Sequence, residues 1–369
     1  MIKSLIVVAM TSLLHSSSLY AVTQESLEKL SGSMLMVGFY GTSAKAESQI
    51  CKDIKRYDLA GVILFDYNPV NKNRPKNIES KEQLKKLTKE LKACSRNGKL
   101  LISVDQEGGR VQRLKSKYGF KGNFPKAADI SKYDDDNRVT KIYHSMGAEL
   151  KEVGINYDLA PVVDLAINKN NHVIYGLGRS FGADPRSVAR YASLFINSMH
   201  KNRVLTSLKH FPGHGSSTGD THKGFVDVTK QWKNVELVPY QQLIKSGSID
   251  TIMVAHVFNK NIDATYPATL SNKTVNELLR KQLGFEGVVI TDDLQMGAIS
   301  HKFGLKNTIK FAVNAGDDIL LFGNQLDPKR VVSTEKLVNT MISLVNSGEI
   351  KLDTIKKANS RIKKLKGKL

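Results

Sequence analysis

Residues 207–224 read SLKHFPGHGSSTGDTHKG and gather His210, His214, Asp220 and His222 on one segment, which Pro212 and the glycines Gly213, Gly215, Gly219 and Gly224 keep out of a continuous helix. Asp220 and His222 are spaced i, i+2. On a tight turn the carboxylate can accept from one imidazole nitrogen, which fixes the tautomer and stabilises the protonated ring while the other nitrogen faces a reactant. That is the requirement for a general acid and base working near neutral pH. Metal binding by His210, His214 and His222 is the competing chemistry. A pair of the form H-x3-H needs helix to bring both rings to one side, and Phe211, Pro212 and Gly213 exclude helix, so no metal is expected. His214 is assigned instead to holding the loop. A second candidate is the Asp292–Asp293 pair, which closes the apolar run GVVIT at 287–291. A carboxylate at a strand end can become a nucleophile where nearby cations keep it ionised. Asp293 is assigned to capping the helix that follows.

A loop holds nothing still by itself, so the elements behind these residues matter. Eight short apolar runs recur: MLMVG (34–38), GVILF (61–65), LLISV (100–104), YDLAPVV (157–163), VLTSL (204–208), TIMVA (251–255), GVVIT (287–291) and DILLF (318–322). Continuous runs rich in Val, Ile and Leu suit parallel strands buried on both faces. Amphipathic segments lie between them. SKEQLKKLTKELKAC (80–94) opens with Ser80 and Gln83 placed as a capping box. RVTKIYHSMGAELKEVG (138–154) stops at Gly154, and Asp184 and Pro185 open the helix PRSVARYASLFINSMHK (185–201). The alternation predicts an α/β fold, a single (β/α)8 TIM barrel, with chemistry at the C-terminal ends of the strands. A doubly wound sheet is the rival, but no G-x-G-x-x-G follows an early strand. The reactive residues keep the phase the barrel demands: Asp105, Asp164, Lys209 and His210, His256, and Asp292 each follow an apolar run.

The chain has 369 residues and a formal net charge of +20, contributed mostly by lysines scattered through stretches such as KEQLKKLTKELK. A solvated lysine-rich surface accounts for this, as does an acidic partner such as an anionic cell-wall polymer. Nucleic acid is not expected as a partner, because no helix-turn-helix, zinc-finger or aromatic RNA-binding signature occurs. Residues 1–21, MIKSLIVVAMTSLLHSSSLYA, have the shape of a secretory signal peptide whose apolar run is too short to span a membrane. The expectation is a periplasmic or secreted protein with no stable membrane insertion, in which residues 22–369 form one catalytic barrel including the C-terminal helices. Cys51 and Cys94 are spaced too widely for a zinc knuckle; a disulfide and two buried thiols both suit them. With the strands in order, they sit on the helices after the first and second strands, neighbours on the barrel's outside, so a disulfide is expected.

KHFPGHGSSTGDTH (209–222) resembles the K-H-F-P-G-H-G-x4-D-S-H signature of glycoside hydrolase family 3 enzymes of the β-N-acetylglucosaminidase type, with Thr221 in place of the usual serine. SVDQEGGRVQRL (103–114), LAPVVDL, GRSFGADP (178–185), PATLS (267–271), GVVITDDLQMGAI (287–299) and NAGDDILL look like further family blocks in family order. The resemblance implies that Asp292 is the nucleophile of a retaining glycosidase and that the Asp220–His222 dyad is its acid and base. It also implies that Asp105, Arg113, Arg179, Lys209 and His210 hold the sugar, by charge-assisted hydrogen bonds. Glu107, Arg110 and Asp164 fall to structural salt-bridge or loop roles. The activity implied is release of terminal β-linked N-acetylglucosamine, from a glycan or muropeptide of peptidoglycan, by a monomer without a cofactor. A family 3 β-glucosidase or other β-glycosidase, a barrel that binds cell-wall sugar without cleaving it, and a metal-dependent hydrolase are the alternatives.

Overall fold

The computed structural model describes residues 23–369. The leader expected at residues 1–21 lies outside the described residues. Eight strands form the parallel sheet: β1 Leu35–Gly38, β2 Gly61–Ile63, β3 Leu101–Val104, β4 Tyr157–Asp158, β5 Leu205–Phe211, β6 Thr251–Val254, β7 Val288–Thr291 and β8 Leu320–Phe322. Their order is β8-β1-β2-β3-β4-β5-β6-β7. A parallel bridge between Ile290 and Ile319 joins the two ends, so the sheet closes into a barrel. Every strand residue is buried, because one face fills the barrel and the other lies under helices. That is why the sequence shows continuous apolar runs in place of alternation.

Two strands differ from the sequence expectation. The fourth was expected to run over 157–163, yet regular pairing stops at Asp158. The Ala160–Pro161 bond is cis, and Pro161 has no N–H to give; pairing resumes at Val162 opposite Lys209. The fifth runs three residues past Leu208, through Phe211, so Lys209 and His210 are inside the strand and not beyond it. Its register against β6 slips there. Leu208 stands opposite Ile252 and Phe211 opposite Val254, which leaves one extra residue on β5. The Lys209–His210 and Phe211–Pro212 bonds are both cis.

The helices carry the caps read from the sequence. Asp184 accepts from the Ser187 N–H at 2.7 Å with Pro185 in the first turn, and Ser80 accepts from the Gln83 N–H at 3.1 Å. Gln83 reaches back one residue further than a capping box requires, to the Glu79 N–H. Cys51, on helix Gln49–Tyr57, is bonded to Cys94, on helix Lys81–Cys94, with 5.2 Å between the Cα atoms. Among the described residues no helix is long and apolar enough to cross a membrane.

Candidate active site

The strands' C-terminal ends open on a cavity of about 700 Å3, and Asp105, Arg113, Arg179, Lys209, His210, Asp220, His222 and Asp292 all line it. The charges on one side form a lattice. Asp105 follows β3 and accepts from Lys209 Nζ at 2.9 Å and Arg113 Nη2 at 3.2 Å. Lys209 Nζ also lies 2.8 Å from Glu107, which accepts from both Nε and Nη2 of Arg179 at 2.8 Å each. Burial raises both carboxyls, but the cations outweigh it and hold Asp105 below its ordinary range and Glu107 at about 2. Buried charges of this kind persist only when each is paired. Lys209 has three hydrogens and spends two here, so a donor is left for a polar ligand.

His210 is aimed by Asp164, whose Oδ2 is 2.6 Å from Nδ1, leaving Nε2 towards the cavity and 3.5 Å from Arg179. Asp164 Oδ1 also accepts the backbone N–H groups of His210 and His214, so one buried carboxylate organises the start of the loop. His214 is buried with Nδ1 2.7 Å from Ser217 Oγ, and burial lowers it to about 4, which leaves it a neutral prop inside the loop. Consecutive strand residues ordinarily face opposite ways, yet Lys209 and His210 both line the cavity.

Beyond His214 the chain reaches Asp220 and His222. Asp220 Oδ1 accepts both the His222 N–H at 3.0 Å and ring Nδ1 at 2.8 Å. Burial raises this carboxyl, and those two bonds with the His222 charge hold it below its ordinary range. The His222 side chain is 51% exposed and free to meet a ligand. The loop is strapped to the segment after β7, where the Gly297 N–H reaches His222 O and the Ala298 N–H reaches Thr221 O, each at 3.2 Å. A Cβ at 297 would stand 2.9 Å from His222 O, so only glycine admits this approach.

Asp292 closes β7 and its Oδ1 accepts the Asp293 N–H at 2.8 Å. Burial raises the Asp292 carboxyl; His256, then His210 and His222, outweigh it and keep it low. Asp293 was expected to cap the next helix, and it does not. Helix Gly297–Ser300 begins after Met296 with no side-chain cap, four residues on. Asp293 instead accepts from the Gln295 and Gly323 N–H groups, tying the β7 and β8 ends together, and burial raises it to about 6.

Several supporting residues were not singled out from the sequence. Asp66 follows β2 and is 2.5 Å from Lys115 and 4.0 Å from Arg113; the same strand-end phase that revealed Asp105 was its signal. Asn171 donates to His214 O and Gly215 O, and buried Glu236 accepts from the Gly215 and Ser216 N–H groups. Lys76 is buried and donates to Gly323 O and Asn324 O, and burial lowers it to about 7. Nothing in the spacing of these three announces them. Among the described residues no group of three or more His, Cys, Asp or Glu side chains is placed to hold a metal ion.

Residues 26–365 match the sequence profile described as the glycosyl hydrolase family 3 N terminal domain. A beta-hexosaminidase of Tolumonas auensis is 36% identical over 296 residues, 79% of this chain and 82% of that protein. Beta-hexosaminidase A of Pseudoalteromonas piscicida is 33% identical over 340 residues, 86% of this chain but 54% of the longer protein, so this chain spans about half of that relative's length. Among solved structures, a glycoside hydrolase family 3 beta-N-acetylglucosaminidase from Paenibacillus sp. str. FPU-7 matches with a TM-score of 0.82 at 31% identity, over 94% of this chain and 63% of that one. The beta-N-acetylhexosaminidase of Beutenbergia cavernae matches with a TM-score of 0.80 at 29% identity, over 93% of this chain and 98% of that one.

Proposed function

Because the chain belongs to glycosyl hydrolase family 3, we propose that it is a retaining exo-β-N-acetylglucosaminidase that works through Asp292 and the Asp220–His222 dyad. What carries the reading is one observation: an ionised carboxylate at a strand end and an imidazole oriented by a second carboxylate line the same cavity. In the first step an Asp292 oxygen attacks the anomeric carbon. The glycosidic C–O bond breaks, and the proton on His222 Nε2 passes to the departing oxygen. Asp220, accepting from Nδ1, fixes the tautomer and stabilises the charged ring before transfer. In the second step Nε2 takes a proton from water as that water attacks the anomeric carbon and expels the Asp292 carboxylate. Two displacements at one carbon retain its configuration.

Around this centre Asp105 and His210 Nε2 accept from sugar hydroxyls, and Lys209, Arg113 and Arg179 donate to hydroxyl and acetamido oxygens. Terminal β-linked N-acetylglucosamine in peptidoglycan fragments is the substrate we propose. The leader at residues 1–21 supports action outside the cytoplasm, and the charge of +20 suits an anionic wall. Sequencing the N-terminus of the protein from a periplasmic or culture fraction tests export; an intact leader in the cytoplasmic fraction refutes it.

The test of activity is nitrophenol release from the β-N-acetylglucosaminide and the β-glucoside in the presence of EDTA. Turnover of the first alone, surviving EDTA and lost in Asp292→Ala, is expected. His222→Ala should cost about 10²- to 10⁴-fold on natural glycans and less on nitrophenyl substrates, whose leaving group needs little protonation. No turnover of either substrate, or turnover without Asp292, overturns the reading.

A further inference from the structure

The charge lattice runs one step past Asp105, through Arg113 to Asp66, which follows β2 and is 4% exposed. Asp66 and Arg113 both line the cavity, yet they do not bond to each other: Asp66 Oδ1 and Arg113 Nη1 stand 4.0 Å apart, too far for a hydrogen bond. Each is held back by another partner. Asp66 Oδ2 accepts from Lys115 Nζ at 2.5 Å. Arg113 gives Nη2 to Asp105 at 3.2 Å, and its guanidinium carbon lies 5.6 Å from the centre of the Phe65 ring. Among the described residues nothing donates to Asp66 Oδ1 and nothing accepts from Arg113 Nη1, and neither atom is sealed from solvent as Arg113 Nε is. An unpaired carboxylate oxygen and an unpaired guanidinium N–H on one wall of the cavity suit a group that gives a hydrogen to the first and accepts one from the second. A hydroxyl does both; an ether oxygen or a methyl group does not.

We propose that Asp66 is a specificity-determining residue that, with Arg113, clamps a free hydroxyl on the edge of the terminal sugar remote from the bond being cut. This rests on the reading of Asp292 as the nucleophile, which places the anomeric carbon at the end of β7. In the closed ring of eight strands β3 stands opposite β7, and β2 is its neighbour. The gap between Asp66 and Arg113, on the loops after β2 and β3, therefore lies across the barrel from Asp292. In a pyranose the carbon across the ring from C-1 is C-4, and C-6 branches beside it. The clamped group is accordingly the C-4 or the C-6 hydroxyl, with its hydrogen towards Asp66 Oδ1 and a lone pair towards Arg113 Nη1. A further sugar or an acyl group on that oxygen removes the hydrogen that Asp66 accepts, and leaves the carboxylate facing an oxygen that cannot donate. The clamp thus selects a sugar whose far edge is unsubstituted, as cutting only at a chain end requires. Lys115, whose side chain is 39% exposed, balances the Asp66 charge from the solvent side.

NMR titration of the wild type, Asp66→Ala and Asp66→Asn with N-acetylglucosamine and its 4-deoxy and 6-deoxy analogues tests this without turnover. Asp66→Ala should weaken binding of N-acetylglucosamine about 10- to 100-fold, the usual contribution of a hydrogen bond to a charged group. The analogue that lacks the clamped hydroxyl should bind the wild type with a similar loss, and Asp66→Ala should weaken it no further. The other analogue should lose affinity in the variant as the parent sugar does. Should the alanine variant not fold, Asp66→Asn keeps the shape of the side chain and carries the same comparison with a smaller loss. An equal loss on all three sugars, no loss on any, or no binding of any to the wild type overturns the clamp. Because no bond is cut, the result is separable from the glycosidase reading: binding that depends on Asp66 and one hydroxyl supports the clamp even where nitrophenol release fails. Normal release with an equal loss on all three sugars refutes the clamp alone.

Discussion

Glu236→Gln offers a sharp thermodynamic test, because Glu236 is 1% exposed directly beneath the active-site loop. Its Oε2 accepts from the Gly215 and Ser216 N–H groups at 3.0 and 3.3 Å, while Oε1 is buried with no partner. Burial, reinforced by Asp164, raises its carboxyl from 4.5 to about 7. A carboxyl raised on folding binds more protons in the native than in the unfolded state, so its contribution is complete below pH 4.5 and is lost as pH climbs through about 7. At ~1.4 kcal/mol per pH unit the loss is about 1 kcal/mol at pH 5 and about 3 kcal/mol at pH 8. Glutamine keeps an acceptor for the two N–H groups and does not ionise. Its NH2 would stand unpartnered where Oε1 stands, a cost of about 1–3 kcal/mol that does not depend on pH. The prediction therefore concerns the slope: the stability of Glu236→Gln relative to the wild type should rise by about 2 kcal/mol between pH 5 and pH 8. Urea unfolding of both proteins at each pH measures it. A difference that stays constant across that range would refute the claim that Glu236 folds with its proton on.

Gly297→Ala puts a Cβ 2.9 Å from His222 O and should displace the dyad, lowering kcat on the order of tenfold while KM and the urea midpoint hold; unchanged steady-state kinetics would refute the close-approach account. Asp105→Asn leaves Lys209 paired with Glu107 but removes an ionised acceptor from the sugar lattice. A loss of roughly 10- to 100-fold in kcat/KM is expected, from a charge-assisted bond worth about 1.5–3 kcal/mol; a loss in stability with kcat/KM intact would assign Asp105 to structure alone. Reducing the Cys51–Cys94 bond, which spans 43 residues, should lower the unfolding free energy by about 4 kcal/mol on the chain-entropy estimate, and urea curves with and without reductant measure it. Identical midpoints would mean that the clamp adds nothing.

Periodicity and phase determined a great deal. Val-, Ile- and Leu-rich runs can be buried on two faces only in a closed or doubly covered parallel sheet, and the polar residue that ends each run must then surface at the C-terminal rim. This is why Asp105, Asp164, Asp292 and the Asp220–His222 pair were legible from residue type and spacing, and why two cysteines on successive outer helices could be paired. What the chain order could not express were contacts between distant segments and the direction in which side chains point. Asp293 follows a strand and precedes a helix, as a cap would, but the helix begins later and the β8 loop comes close enough to claim its carboxylate. Glu236, Asn171 and Lys76 lie on segments remote from the motifs and matter because tertiary packing carries the backbone N–H and C=O groups of the loops to them. Local sequence decides which groups exist and which rim they reach. Their charge states depend on burial and on partners supplied by other strands, and those are properties of the closed barrel alone.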